Sequence, residues 1–278
     1  MSNIETYEII WQNYAPYSPG NVKEIMKFVE NNMEGLLSLY PREKKRLQNY
    51  SDTNDIPIEI LKSMRNQLRS QKEVFFKLGE EQRNYIMTKY DQFLEKLERI
   101  DKSNEELVMS LIINFYGSVK APPRIVYEII KNTNNFTDMD INVQELLEKP
   151  INDLIEEDRA VTIAAREFEE TFEAWFSKSG IKFKTEKDIR IENAHNLTPD
   201  FLLDVPIIIK KDDIDYEIHW IDVKNYFMTD VKIMQSKLRK QSQKYNEAFG
   251  NGAFVFHYGF DPSIQISDTL ILNGSFLD

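Results

Sequence analysis

The sequence predicts an α/β domain with a mixed sheet, preceded by an all-α N-terminal domain. Three observations predict it. From Tyr7 to about Glu148, apolar residues recur at spacings of three and four, as in "IMKFVENNMEGLL" and "YDQFLEKLERI", without lasting strand-like alternation. After "EKPINDLIEED" the texture changes to one helical stretch followed by short apolar runs between turn residues. A further helix separates the third and fourth of those runs, supplying the crossover that a parallel neighbour requires. The expected boundary lies near residue 155, giving domains 1–155 and 156–278.

A chain of 278 residues with 41% apolar content can bury two modest cores. It has no cysteine, which excludes disulfides and thiolate zinc sites and suits a reducing compartment, nucleus or cytoplasm. Any metal must then be held by oxygen or histidine. "MSNIETYEII" lacks the basic start and apolar centre of a signal peptide, and no apolar run nears the roughly 20 residues that span a bilayer. The expectation is an intracellular protein without a membrane partner. A net charge of −11 excludes a protein coated in positive charge. Locally the sign reverses: Lys232, Lys237, Arg239, Lys240 and Lys244 follow one another with no acid between Lys232 and Lys244.

Within the first domain, breaks fall at "YSPG", "SDTNDIP" and "NTNNFTDMD", where Pro, Gly, Asn and Asp cluster. "EELVMSLIINFYGSVKAPPRIVYEIIKN" reads as a helix, a turn at Gly117 and a second helix opened by Pro122 and Pro123. The spacing allows a helix-turn-helix for nucleic acid. Its second helix carries only Arg124 and Lys131 as cations, which favours a packing pair instead.

In the second domain "AVTIAAREFEETFEAWFSKSG" is a helix closed by Gly180. Three strands are expected in "IKFKTEKDIRI", "PDFLLDVPIII" and "YEIHWIDVKNY", the last two joined by the turn "KKDDID". The helix "VKIMQSKLRKQSQKYNEAF" and the strand "AFVFHYG" follow.

Chemistry concentrates on the hairpin. Asp222 and Lys224 alternate onto one face of their strand, about 7 Å apart. Placing Asp200 opposite Lys224 sets Leu202 opposite Asp222 and centres the turn on Asp212, and it gathers Asp200, Asp222 and Lys224 at one end of the sheet. Two adjacent carboxylates raise each other's pKa and call for a cation, which from oxygen ligands is Mg²⁺ or Mn²⁺. Two acids, a hard divalent cation and a lysine suit phosphodiester hydrolysis: the metal acidifies a water and offsets transition-state charge while the lysine orients that water or holds a phosphate oxygen.

"TPD" at Thr198–Asp200 followed by "DVK" at Asp222–Lys224 is similar to the PD-(D/E)XK nuclease motif in residue types and spacing. The resemblance implies a restriction-endonuclease-like fold and a metal-dependent nuclease. It further implies a carboxylate from the preceding helix: Glu169, with Glu167 as the alternative, flanks the stripe Phe168, Phe172, Trp175 and Phe176. Some such nucleases carry Gln and Tyr four apart beyond the lysine, and Gln241 and Tyr245 match that spacing beside Lys237 and Lys244. The implied metal ligands are Asp200, Asp222, Glu169 and the Val223 carbonyl; the implied nucleic-acid contacts are Lys237, Gln241, Lys244 and Tyr245. From about Ala165 to Phe260 the run "TPDFLLDVPIII…IHWIDVKN" with "LRKQSQKYNEAFGNGAFVFHYGF" looks like the codanin-interacting nuclease family, which implies DNA as substrate and a codanin-like protein partner. This chain departs from that family in having Asp222 where Glu stands and in lacking cysteine.

Simpler readings exist for each residue alone. Asp200 after Pro199 suits a turn, Asp222 and Lys224 suit an ion pair at a strand end, and acids beside an aromatic stripe suit any solvated helix. The joint pattern on successive strands favours the metal site, with a scaffold that keeps the fold and acts through partners as the alternative. His195, His219 and His257 are too scattered for zinc, and Trp220, Phe254 and Phe256 are expected in the core.

Overall fold

The computed structural model describes residues 7–11, 17–192, 196–211 and 214–275. In chain order it begins with strand β1 (Tyr7–Ile10), then helices α1 (Pro19–Asn32), α2 (Pro41–Asn54), α3 (Ile58–Phe75) and α4 (Glu80–Leu97). Helices α5 (Glu105–Val119), α6 (Pro123–Ile130), α7 (Asn134–Thr137) and α8 (Ile141–Lys178) follow. The remainder alternates: β2 (Phe183–Thr185), α9 (Glu186–Glu192), β3 (Phe201–Lys211), β4 (Ile214–Lys224), α10 (Lys232–Phe249), β5 (Gly252–Phe256) and β6 (Thr269–Asn273). The architecture is mixed α/β, a mixed sheet flanked by helices. No helix among the described residues is long and apolar enough to cross a membrane.

The chain divides into two compact units, one of Met1–Phe28, Pro57–Gln67 and Thr162–Asp278, the other of Val29–Ile56 and Leu68–Val161. This differs from a single cut at residue 155, which falls inside α8. Pro150 and the polar run after it suggest a break, since proline costs a helix one hydrogen bond and adds a clash. The helix nevertheless runs through Pro150, from Ile141 to Lys178, 38 residues in all. Val143 and Leu147 bury its first part, and Phe168, Phe172 and Phe176 bury its last, so both ends are fixed by packing.

In the first unit the strands order β1-β3-β4-β5-β6, with β2 also pairing with β3. β3 and β4 are antiparallel, and β4, β5 and β6 run parallel, with α10 as the crossover from β4 to β5. Phe168, Phe172 and Phe176 of α8 cover one face, against Phe201, Ile207, Ile221, Val223, Val255 and Leu272. A buried phenylalanine contributes about 1.5–3 kcal/mol through removal from water, and Phe172 and Phe176 are both fully buried. Leu238 and Tyr245 of α10 cover the other face, against Trp220, Phe254, Phe256 and Ile271. Trp220, Phe254 and Phe256 are thus core, as expected. The Trp11 indole N–H donates to the Asn273 carbonyl at 2.8 Å, joining the residue after β1 to the last of β6. Those are the two edges, so the sheet curls around α8.

Several local expectations change. "IKFKTEKDIRI" yields only the short β2, because Thr185 and Asp188 cap α9 reciprocally: the Asp188 carboxylate accepts from the Thr185 N–H at 2.9 Å and its hydroxyl at 2.7 Å. β1 arises in a segment read as helical, and β6 was not expected; both are short edge strands whose pairing comes from distant sequence. In the hairpin, Leu202 lies opposite Trp220 rather than Asp222. The register shifts between Leu202 and Ile207, a bulge containing Pro206, which has no N–H to give the ladder. The expected turn centre, Asp212, lies outside the described residues, as does His195.

The second unit is helical around Tyr90, Phe93, Ile112, Phe115, Val126 and Ile130. Gly117 does not break the chain: α5 continues to Val119 and the turn comes at Lys120, whose φ of 50° is left-handed. α6 buries Pro123, Val126, Ile129 and Ile130, the packing role favoured for it.

Candidate active site

β4 delivers Asp222 and Lys224 to the α10 side of the sheet, because they alternate in step with Trp220. Asp200 immediately precedes β3. Continuing the pairs Leu202↔Trp220 and Phe201↔Ile221 by one residue sets Asp200 across from Asp222, and the Val223 N–H donates to the Asp200 carboxylate at 2.8 Å. The bulge therefore moves the register without separating the two acids.

The Thr198–Asp200 segment is held from two elements. The Tyr245 hydroxyl of α10 donates to the Thr198 carbonyl at 3.0 Å, and the Thr198 hydroxyl donates to Glu186 of α9 at 2.9 Å. Asp222 is 2% exposed, with one carboxylate oxygen paired to the Lys224 ammonium and the other accepting from the Gln241 amide at 2.7 Å. The Gln241 amide also reaches the Tyr245 hydroxyl at 3.2 Å. Gln241 and Tyr245 thus meet the acids from α10. The Trp220 indole between the sheet and α10 lies over Gly252, at the start of β5, where a Cβ would come 2.0 Å from it. That indole in turn donates to the Gly250 carbonyl at 2.9 Å, fixing the C-terminus of α10.

The electrostatics follow from crowding. Burial pushes the Asp200 carboxyl well above the usual carboxylate range, and the charge of Asp222 adds to it, against Lys224 and the Val223 N–H. Burial opposes the charge on Lys224, yet Asp222 and Asp200 together outweigh it and raise its pKa, so it is an ammonium at neutral pH. Glu169 is half-buried on α8; burial raises its pKa, and Asp222 and Glu186 raise it further against Lys224. Glu167 is exposed, so Glu169 is the helix carboxylate that senses the site. Among the described residues no three acidic or histidine side chains are gathered tightly enough to form a ready-made metal cage. Asp200 senses the charges of Asp222 and Glu169 against that of Lys224, and burial and Asp222 together destabilise it as an anion.

Tyr226 was not anticipated. It follows Lys224 by two residues, packs on Phe256 at 5.5 Å, and burial raises its phenol to about 12. The alternation that singled out Asp222 and Lys224, continued one step, points to it. His219 lies 3.2 Å from Glu217, and His257 pairs through Nδ1 with Asn225 at 2.6 Å while stacking on Phe168. The two histidines have different partners. Lys237 and Lys244 are exposed on α10 on either side of Gln241.

Residues 135–275 match a family model described as a protein of unknown function with a TPD sequence motif, and this segment contains the tripeptide at Thr198–Asp200. An uncharacterized protein of Acanthamoeba polyphaga mimivirus is 36% identical over 268 residues, 96% of this chain and 95% of that protein. No solved structure matches the chain. The match covers just over half of the chain, including Asp200 and Asp222, and the chain belongs to this TPD sequence-motif family.

Proposed function

We propose that the chain is a divalent-metal-dependent nuclease of restriction-endonuclease-like fold, hydrolysing phosphodiester bonds in DNA. One observation carries the reading: Asp200 at the entry to β3 meets Asp222 and Lys224 of β4, with Gln241 bonded to Asp222. Asp200, Asp222, Glu169 and the Val223 carbonyl would hold Mg²⁺ or Mn²⁺, which when bound supplies Lewis acidity toward a water and a phosphate oxygen. Lys224, kept protonated by its two carboxylates, acts as a donor: it holds a phosphate oxygen or orients the attacking water, and it does not take the proton. Gln241 fixes the free oxygen of Asp222, and Tyr245 fixes the backbone that leads into Asp200. Lys237 and Lys244 offer charge to the backbone of the strand being cut.

The motif residues are all present, which supports catalysis over a scaffold that has lost it. The resemblance also makes a codanin-like protein the proposed partner, in nucleus or cytoplasm. The reading is tested by digesting labelled single-stranded, duplex, flap and junction DNAs with Mg²⁺ or Mn²⁺. Asp222→Ala and Lys224→Ala proteins should fold and lose metal-dependent cleavage; cleavage at the wild-type rate by either would sink the assignment.

A further inference from the structure

The cations of α10 differ from three on α8. On α8, Lys149, Arg159 and Arg166 each pair with an acid three or four residues away. On α10, Lys232, Lys237, Arg239, Lys240 and Lys244 are all exposed, and none forms an ion pair with an acid among the described residues. The helix itself has one acid, Glu247, which accepts from Gln243 at 2.9 Å. Five uncompensated cations on a chain of net charge −11 mark a surface for a polyanion.

Their arrangement is specific. Leu238, Ser242 and Tyr245 define the buried side of α10. At 3.6 residues per turn, Lys237 and Lys244 fall on one flank, beside Gln241, and Lys232 and Arg239 fall on the other. Within each pair the residues are seven apart, about 10 Å along the axis. The second pair lines a groove of about 650 Å³ with Asp230, Gln235, Ser236, Lys240 and Gln243; Arg239 donates to Gln235 at 2.8 Å, and Asp230 is its one acid. Lys240 lies between the flanks, on the side opposite the buried one. A helix about 10–12 Å across, with cations on both flanks and an exposed ridge between them, matches the roughly 12 Å major groove of B-DNA, each flank meeting one phosphate backbone. The major groove of A-form RNA is too narrow for it.

We propose that α10 lies in the major groove of duplex DNA. Lys237 and Lys244 contact the backbone nearer Asp200 and Asp222, and Lys232 and Arg239 contact the opposite one. The assignment of the nearer strand rests on the nuclease reading above; the two-flank contact does not.

The test uses the full chain in EDTA, so that nothing is cut, with a fluorescent 20-base-pair DNA duplex and its single strand titrated by anisotropy at several salt concentrations. The wild type should hold the duplex at least tenfold more tightly than the single strand. Joint Lys232→Glu and Arg239→Glu should weaken duplex binding at least tenfold and flatten its salt slope by roughly 2, with single-strand binding within twofold. If circular dichroism shows that protein unfolded, joint Lys232→Gln and Arg239→Gln takes its place. Unchanged duplex binding by the folded variant overturns the proposal, as does equal loss for both DNAs or a wild type that binds neither or both alike. Cleavage of the same duplex in Mg²⁺ is scored separately. Binding as described without cleavage ends the nuclease reading and leaves this one; cleavage with an unaffected variant does the reverse.

Discussion

The Gln241 amide on α10 donates to the Asp222 carboxylate on β4 at 2.7 Å, linking a helix that follows the hairpin to an acid buried in the sheet. With 2% exposure, Asp222 has no water to replace that donor. Gln241→Leu should therefore lower stability by about 1–3 kcal/mol, the cost of an unsatisfied buried acceptor. Gln241→Glu should cost more, since it sets a second carboxylate against the first. Denaturant unfolding of the two variants checks the order; equal midpoints with wild type would mean the bond is not made.

Asp200 gives a stability effect of opposite sign. Its folded pKa is raised by burial and by Asp222, so between its unfolded value and that raised value the native state binds the proton more tightly than the unfolded one. Stability then falls as pH rises through that window, and Glu169, shifted the same way by burial, adds to it. Asp200→Asn keeps an oxygen for the Val223 N–H and removes the charge. It should raise the thermal midpoint at pH 7–8 and flatten the fall in stability from pH 5 to 8. Lys224, raised, contributes stability that is lost only as pH rises through its own folded value, outside this range. A variant less stable than wild type at pH 8 would contradict the crowding of Asp200 and Asp222.

The same crowding predicts a response to cations. A metal that binds only the folded state stabilises by RT ln(1 + [L]/Kd), about 2.7 kcal/mol at a hundredfold excess over Kd. Mn²⁺ or Mg²⁺ should raise the wild-type thermal midpoint, and the increment should vanish in both Asp200→Asn and Asp222→Asn. An increment that survives both substitutions would place the metal elsewhere.

The sequence made the site more legible than the sheet around it. Asp222 and Lys224 were readable because period-two alternation is local, and Asp200 because it opens the neighbouring strand. The exact register was not, because the shift between Leu202 and Ile207 depends on how the sheet curls, which no local pattern encodes. Asp200 still meets Asp222 because the bulge lies beyond Leu202, on the turn side of both acids. β1 and β6 were missed for a related reason: four or five residues at a sheet edge carry little pattern of their own and are strands only because β3 and β5 pair with them. α9 was readable in principle, since Thr185 and Asp188 have the spacing of a capping box, but the apolar positions around them resemble a strand equally well.

Gln67, buried in α3, has no counterpart in the motif and is tied to the segment that follows Lys224. Its amide donates to the Phe227 carbonyl at 2.5 Å, and its oxygen accepts from the Thr229 N–H at 3.2 Å and the Thr229 hydroxyl at 2.7 Å. Thr229 is fully buried, so all three bonds lack water as a substitute. Between Lys224 and Gln241 the chain has only this loop and the first turns of α10, so the bonds set where α10 begins. Gln67→Ala should lose about 2–4 kcal/mol, the combined cost of a small cavity and stranded polar groups. Gln67→Glu buries a carboxylate against the Phe227 carbonyl with no cation beside it and should lose at least as much. Amide hydrogen exchange at Thr229 distinguishes a local role from a global one: it should speed up more than exchange at Phe254, which sits inside β5. Equal acceleration at both would mean that Gln67 supports the unit as a whole and does not hold the loop in particular.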